Sequence, residues 1–201
     1  NTLAATINPG DEVIIPSPYW VSYPDQVQLS GGVPVFIETS DQSDFKITPD
    51  QLKSAITDRT KMVILNTPSN PTGSVYTKDE LQALIPILLD SGILVLSDEI
   101  YEKLIYDQQE HTSIVSLNPD LKDQSIIVNG VSKAYAMTGW RIGYIAANKE
   151  IASAVGKIQS QSTSNPCAPA QWASLEAIQN GDSEIPPMWT EFNKRREEMV
   201  S

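Results

Sequence analysis

The sequence predicts an α/β fold, a mainly parallel sheet with helices on both faces, and three observations lead there. Short unbroken apolar runs recur along the chain, among them Val13-Ile14-Ile15, Met62-Val63-Ile64-Leu65, Ile93-Leu94-Val95-Leu96 and Ile126-Ile127-Val128. Strands of that kind are buried on both faces, whereas a strand with one wet face alternates apolar and polar residues. Segments of helical periodicity stand between these runs, so strands and helices alternate as in βαβ units. Conspicuous polar residues (Trp20, Asn70, Asp98, Tyr101, Lys133) follow the strand ends, and the crevice at the carboxyl ends of the strands is where open α/β sheets bind ligands.

Taken in order, Thr2 to Ile7 reads as the tail of a helix and Asn8-Pro9-Gly10-Asp11 as a turn. The strand at 13–15 is closed by Pro16-Ser17-Pro18-Tyr19-Trp20, and Gly31-Gly32 turns the chain into a strand at 33–37. Thr48-Pro49-Asp50-Gln51 is a helix start, with threonine as N-cap, proline at the first helical position and glutamine three residues after the cap. Leu52, Ala55 and Ile56 continue it with helical spacing.

The strand at 62–65 runs directly into Asn66-Thr67-Pro68-Ser69-Asn70-Pro71-Thr72-Gly73. Thr77-Lys78-Asp79-Glu80 is a second capping box, followed by an apolar face of Leu81, Leu84, Ile85, Leu88 and Leu89, with Pro86 expected to bend the helix. The strand at 93–96 ends in Ser97-Asp98-Glu99-Ile100-Tyr101. After a loop around His111 come a strand at 126–128, a lysine-bearing stretch and a strand at 142–146. Residues 152–161, 170–180 and 189–200 read as helices, Ser162-Thr163-Ser164 as loop, and Ile185-Pro186-Pro187 as a domain boundary.

The net charge of −11 over 201 residues, with no Lys/Arg run, speaks against nucleic acid or an anionic membrane surface as partner. Any anionic ligand must then be held by a few local donors. Cys167 is the single cysteine, so no internal disulfide forms, which suits a reducing compartment. No signal peptide, membrane-length apolar run, dinucleotide fingerprint or P-loop is present.

The organising stretch is Asn129-Gly130-Val131-Ser132-Lys133-Ala134-Tyr135-Ala136-Met137-Thr138-Gly139-Trp140-Arg141-Ile142-Gly143. Small neighbours let a bulky group approach the Lys133 amine, and Gly139 and Gly143 relax the backbone around Arg141. Taken alone, it also reads as a loop with two solvated cations. By the same standard Asp98 reads as a helix N-cap, Asn70-Pro71-Thr72-Gly73 as a turn, and Trp20 as core packing.

Together, Asn70-Pro71-Thr72-Gly73, Ser97-Asp98-Glu99-Ile100-Tyr101 and Ser132-Lys133 followed by Arg141 resemble the fold-type I, class I/II pyridoxal-phosphate aminotransferases. Pro18-Tyr19-Trp20-Val21-Ser22-Tyr23, the 136–144 segment and Ser160-Gln161-Ser162-Thr163 narrow the likeness to bacterial-type aspartate and aspartate/prephenate aminotransferases. The resemblance implies a three-layer large domain, residues 1–184 forming its central part and 185–201 leading toward a small domain absent from the sequence. It also implies that a glycine-rich phosphate cradle, a tyrosine reaching the phosphate from the neighbouring subunit, and an arginine for the substrate carboxylate lie outside these residues. Residues 1–201 alone are therefore expected to be inactive.

By resemblance, Lys133 forms the cofactor aldimine and moves the proton at the substrate Cα. Asp98 pairs with the pyridine nitrogen, Tyr101 and Asn70 hydrogen-bond the ring oxygen, Arg141 binds the phosphate and Trp20 stacks on the ring, with Trp20 and Asn70 also facing substrate. Gly130 departs from the pattern, since many relatives carry a hydroxyl there.

The activity implied is amino-group transfer between aspartate or glutamate and a 2-oxo acid, in a cytoplasmic homodimer, or in an organelle if a transit peptide precedes these residues. No metal is implied. A prephenate or aromatic aminotransferase, or a β-lyase, on the same scaffold is the nearest alternative. A non-catalytic sensor domain of a transcription regulator is the alternative from another class, and a basic DNA-binding domain upstream would distinguish it.

Overall fold

The computed structural model describes residues 1–200. In chain order the elements are α1 (Thr2–Thr6), β1 (Glu12–Ser17), α2 (Ser22–Leu29), β2 (Val33–Glu38), α3 (Pro49–Ala55), β3 (Thr60–Asn66), α4 (Lys78–Ser91), β4 (Leu94–Asp98), α5 (Ile114–Leu117), β5 (Ser125–Gly130), β6 (Gly143–Ala147), α6 (Lys149–Ser162), α7 (Ala168–Asn180) and α8 (Ile185–Val200). Six strands form one sheet in the order β2-β1-β3-β4-β5-β6. Strands β1 to β5 pair in parallel, and only β6 runs antiparallel, against β5.

The unbroken apolar runs are unbroken because each strand feeds two cores. Side chains alternate across a strand, so Val63 and Leu65 enter the cluster under α3 and α4, while Met62 and Ile64 enter the cluster on the opposite face with Tyr23 and Val27 of α2. Ile14 likewise parts from Val13 and Ile15, and Val95 from Leu96. The result is the expected three-layer arrangement.

Both capping boxes form. Thr48 accepts from the Gln51 amide at 3.3 Å while the Gln51 side chain accepts from the Thr48 amide at 2.9 Å. Thr77 and Glu80 repeat the exchange at 3.3 and 2.7 Å, and Glu80 also pairs with Lys46 at 2.8 Å. Pro86 is accommodated inside α4, which runs on to a left-handed Gly92 at its C-terminus.

Three elements depart from the sequence reading. Helix α2 occupies a segment with no helix start signal: its N-cap is Val21, with no side-chain cap bond, and its buried residues are Tyr23 and Val27. The short helix α5 lies in what reads as loop. Helix α8 begins at Ile185 rather than 189, because prolines in the first turn occupy positions whose N–H groups have no intrahelical acceptor. Ile185-Pro186-Pro187 is the first turn of α8, and α8 contacts the loop after β4: Trp189 Nε1 donates to the Ile105 carbonyl at 2.6 Å, and Arg196 pairs with Asp107 at 2.6 Å. No described helix is long and apolar enough to cross a membrane.

Candidate active site

The register of the parallel strands places the polar residues. Asn66 pairs with Asp98 across β3 and β4, and Asp98 with Val128 across β4 and β5. The carboxyl ends of three consecutive strands therefore lie side by side, with β5 running two residues further, and the residues there and in the loops that follow line a cleft of about 420 Å³. Trp20, Asn70, Asp98, Tyr101, Lys133 and Arg141 all line it. The structure brings every sequence-predicted site residue to one place.

Asp98 lies at the cleft floor. Its Oδ2 accepts from the Tyr23 hydroxyl at 2.7 Å and its Oδ1 from the Ile100 amide at 3.2 Å. Burial pushes the Asp98 carboxyl above the usual carboxylate range, the neighbouring Glu99 charge adds to that rise, and the Tyr23 and Ile100 bonds oppose it. Both donors are neutral, and no salt bridge among the described residues supplies Asp98 with a cation. The helix N-cap reading does not hold, because the chain makes turns, not a helix, after Asp98.

The Lys133 amine stands over the Tyr101 ring, 5.7 Å from its centroid, within cation–π range. Asn70 is fixed through its backbone, whose N–H donates to Asn66 Oδ1 at 2.8 Å, while Asn66 Nδ2 donates to the Asp98 carbonyl at 3.0 Å. Trp20 is 39% exposed, which removes the core-packing reading, and meets Tyr23 edge-on at 5.3 Å. At Arg141 the backbone strain falls on the arginine itself rather than on the flanking glycines, with φ of 57°. A left-handed non-glycine residue is the kind of outlier that clusters at functional sites. Its Nη1 donates to the Thr138 carbonyl at 2.9 Å.

Sequence reasoning passed over two residues of the cleft, Tyr23 and Asn66, and one next to Asp98, Glu99. Tyr23 is the principal partner of Asp98 and is carried by the helix with no start signal. Asn66 joins the ends of β3 and β4. Glu99 is 3% exposed and its carboxylate meets the half-buried His111 at 3.0 Å, so His111 is not a free loop residue. Removal of the Tyr23 hydroxyl alone is measurable. Tyr23→Phe is expected to raise the Asp98 pKa further and to destabilise the protein by about 1–3 kcal/mol, read from urea midpoints at pH 7.

The family described as aminotransferase class I and II matches residues 1–201. The chain belongs to that family. An aspartate aminotransferase of Bacillus sp. (strain YM-2) is 53% identical over 191 residues, 95% of this chain and 49% of that protein. An aspartate/prephenate aminotransferase of Cereibacter sphaeroides is 52% identical over 202 residues, covering 100% of this chain and 50% of its own length. The solved aspartate aminotransferase from Rhizobium meliloti superposes with a TM-score of 0.97 at 42% identity, over 99% of this chain and 50% of the other. The chain thus spans about half the length of the curated relatives it matches.

Within this aminotransferase sheet Gly130 has a steric role. A Cβ there would lie 2.8 Å from the Ile142 carbonyl oxygen, 3.1 Å from the Gly143 Cα and 3.2 Å from Ile100 Cδ1. The β5–β6 pairing, Gly130 opposite Gly143, brings the backbones that close. Gly130→Ala is expected to cost about 1–3 kcal/mol by overpacking, seen as a lower urea midpoint with an unchanged m-value. A hydroxyl-bearing residue needs the same space, which accounts for glycine at this position.

Proposed function

We propose that the full-length protein is a pyridoxal-phosphate-dependent aminotransferase that moves the amino group of an acidic amino acid (aspartate or glutamate) to a 2-oxo acid. The observation that carries this reading is the convergence of Lys133, Asp98, Tyr101, Asn70, Arg141 and Trp20 on one cleft. Their donor chemistry fits the cofactor. Asp98, a half-buried carboxylate with neutral donors and, among the described residues, no cation, suits a protonated ring nitrogen. Tyr101 and Asn70 offer hydrogen-bond donors for a ring oxygen, and Arg141 a planar fork for a phosphate. When bound, pyridoxal phosphate supplies a carbonyl that takes up the amino group and a ring that draws electron density from the substrate Cα.

The protein's own groups do the rest. Lys133, once its amine is free, takes the proton from the substrate Cα and returns it on the far side of the transfer. Asp98, oriented by Tyr23, keeps the ring-nitrogen proton in place. Trp20 covers the ring and, with Asn70, bounds the space for substrate. The amino group leaves one amino acid as its 2-oxo acid forms and passes to a second 2-oxo acid, with no net oxidation. The names of the relatives favour aspartate, with prephenate as the alternative acceptor. A homodimer in the cytoplasm belongs to the same reading.

The test is transfer from aspartate to 2-oxoglutarate by the full-length protein, followed as oxaloacetate formation, with prephenate as competing acceptor. Oxaloacetate formation that requires both pyridoxal phosphate and Lys133 supports the reading. A folded full-length protein that moves no amino group from aspartate, glutamate or an aromatic amino acid would overturn it.

A further inference from the structure

Asp98 and Glu99 are adjacent carboxylates that grip opposite faces of the sheet. Asp98 meets Tyr23, which belongs to the core on the α2 side, whereas Ile114, the residue after Ser113, belongs to the core on the side of α3 and α4. Glu99 reaches that second side. Its Oε1 accepts from Ser97 Oγ at 2.8 Å and Ser113 Oγ at 2.7 Å, and its Oε2 meets His111 Nε2 at 3.0 Å.

Ser113 is the N-cap residue of α5 and makes no side-chain cap bond there, while its hydroxyl donates to Glu99. A buried carboxylate is costly unless its acceptors are filled, and this one is filled by three side chains. The stretch between Glu99 and His111 has no regular element of its own, only turns closed by bonds such as Leu104 N–H to the Tyr101 carbonyl at 2.8 Å, with Asp107 and Gln108 at positive φ. Its ends are tied together by the Glu99 side chain. Tyr101 lies on the tied stretch, and the Glu99 amide itself bonds the Val128 carbonyl at 2.9 Å.

We propose that Glu99 is a positioning residue: by holding Ser113 and His111 it fixes the 99–113 loop on the end of β4, and so sets where Asp98 and Tyr101 present their side chains to the cleft. Burial pushes the Glu99 carboxyl up, but hydrogen bonds from His111, Ser113 and Ser97 outweigh it and hold the group below its ordinary range, ionised at neutral pH. The charged or titratable groups that face it are His111, Asp98 and Glu102, the last with a carboxylate oxygen within 4.8 Å.

The role in the cleft rests on the proposed function, while the tie itself is independent of it. The test therefore has two readouts on the full-length protein, with Glu99→Leu removing the acceptor and Glu99→Gln keeping one. Without cofactor, hydrogen exchange at Glu102 and Leu104 is expected to accelerate about tenfold or more in Glu99→Leu, with β3 unchanged and Glu99→Gln close to the parent. With pyridoxal phosphate, the pH midpoint of the Lys133-dependent absorbance band is expected to shift in Glu99→Leu but not in Glu99→Gln. That shift should disappear in a Tyr101→Phe background, because both changes act through one hydroxyl.

A Glu99→Leu protein with a lower melting temperature but unchanged exchange and an unchanged midpoint would overturn the proposal. So would a midpoint shift that persists undiminished without the Tyr101 hydroxyl. If the parent protein shows no Lys133-dependent band, the functional reading fails, and the exchange measurement alone decides the tie. Should Glu99→Leu not fold, His111→Phe, which removes one donor of the tie, replaces it in both readouts with the same expected directions.

Discussion

Asp98→Asn is expected to stabilise the cofactor-free protein at pH 7 while removing nearly all of its transamination. The two effects have one cause. Burial holds the folded-state pKa of Asp98 above its ordinary 3.8, so the folded protein resists ionising the group more than the unfolded chain does. The cost of that charge is absent below pH 3.8, grows as the pH rises through the folded-state pKa, and persists in full above it. Asparagine keeps the shape and the acceptor for Ile100 and carries no charge. A gain of about 1 kcal/mol moves the melting temperature of a domain this size by roughly 2–4 °C, and the gain should vanish as the pH is lowered below the carboxylate range.

The same substitution leaves the ring nitrogen without a carboxylate. Removing one preorganised electrostatic partner costs about 10²–10³ in rate, measured as oxaloacetate formation under saturating cofactor. A charge retained at a stability cost is the pattern expected of a functional group. Stability unchanged or lowered by Asp98→Asn at pH 7, with its pH dependence intact, would mean that the buried charge is structural.

Lys133→Ala is expected to lose at least about 10²–10⁴-fold in rate, the share supplied by a positioned general acid–base group, together with the lysine-dependent absorbance band. The fold should survive. Among the described residues the Lys133 amine makes one ring contact, with Tyr101, and no salt bridge, so stability should change by no more than about 0.5 kcal/mol. Lys133→Arg should not restore the rate, because a guanidinium does not release its proton in a protein. Comparable melting curves with a collapsed rate separate a chemical role from a packing role.

What the sequence discloses follows from what kind of interaction sets each feature. The strands are legible because burial on both faces demands unbroken apolar runs such as 62–65, and α3 and α4 because their capping boxes are local chemistry. The cleft residues are legible because each follows a strand end and strand ends converge. Tyr23 is not: its helix has no polar cap, and its role is defined by a hydrogen bond to a residue 75 positions away. Nor is the direction of β6, which pairs antiparallel with β5 and sets Gly143 opposite Gly130. The Glu99–His111 contact is hidden for the same reason, since a hydrogen-bonded pair between strand end and loop looks in sequence like two ordinary surface residues. The positive φ at Arg141 is likewise a tertiary outcome that its flanking glycines only suggest.

The central claim, that Lys133 is the residue joined to the cofactor, is tested most directly by borohydride reduction of the full-length protein with pyridoxal phosphate, followed by peptide mass mapping. The account predicts a single major pyridoxyl adduct, on the peptide that contains Lys133, absent from Lys133→Ala and diminished when an amino-acid substrate is added first. An adduct spread over surface lysines such as Lys53 and Lys157, unchanged in Lys133→Ala, would contradict it.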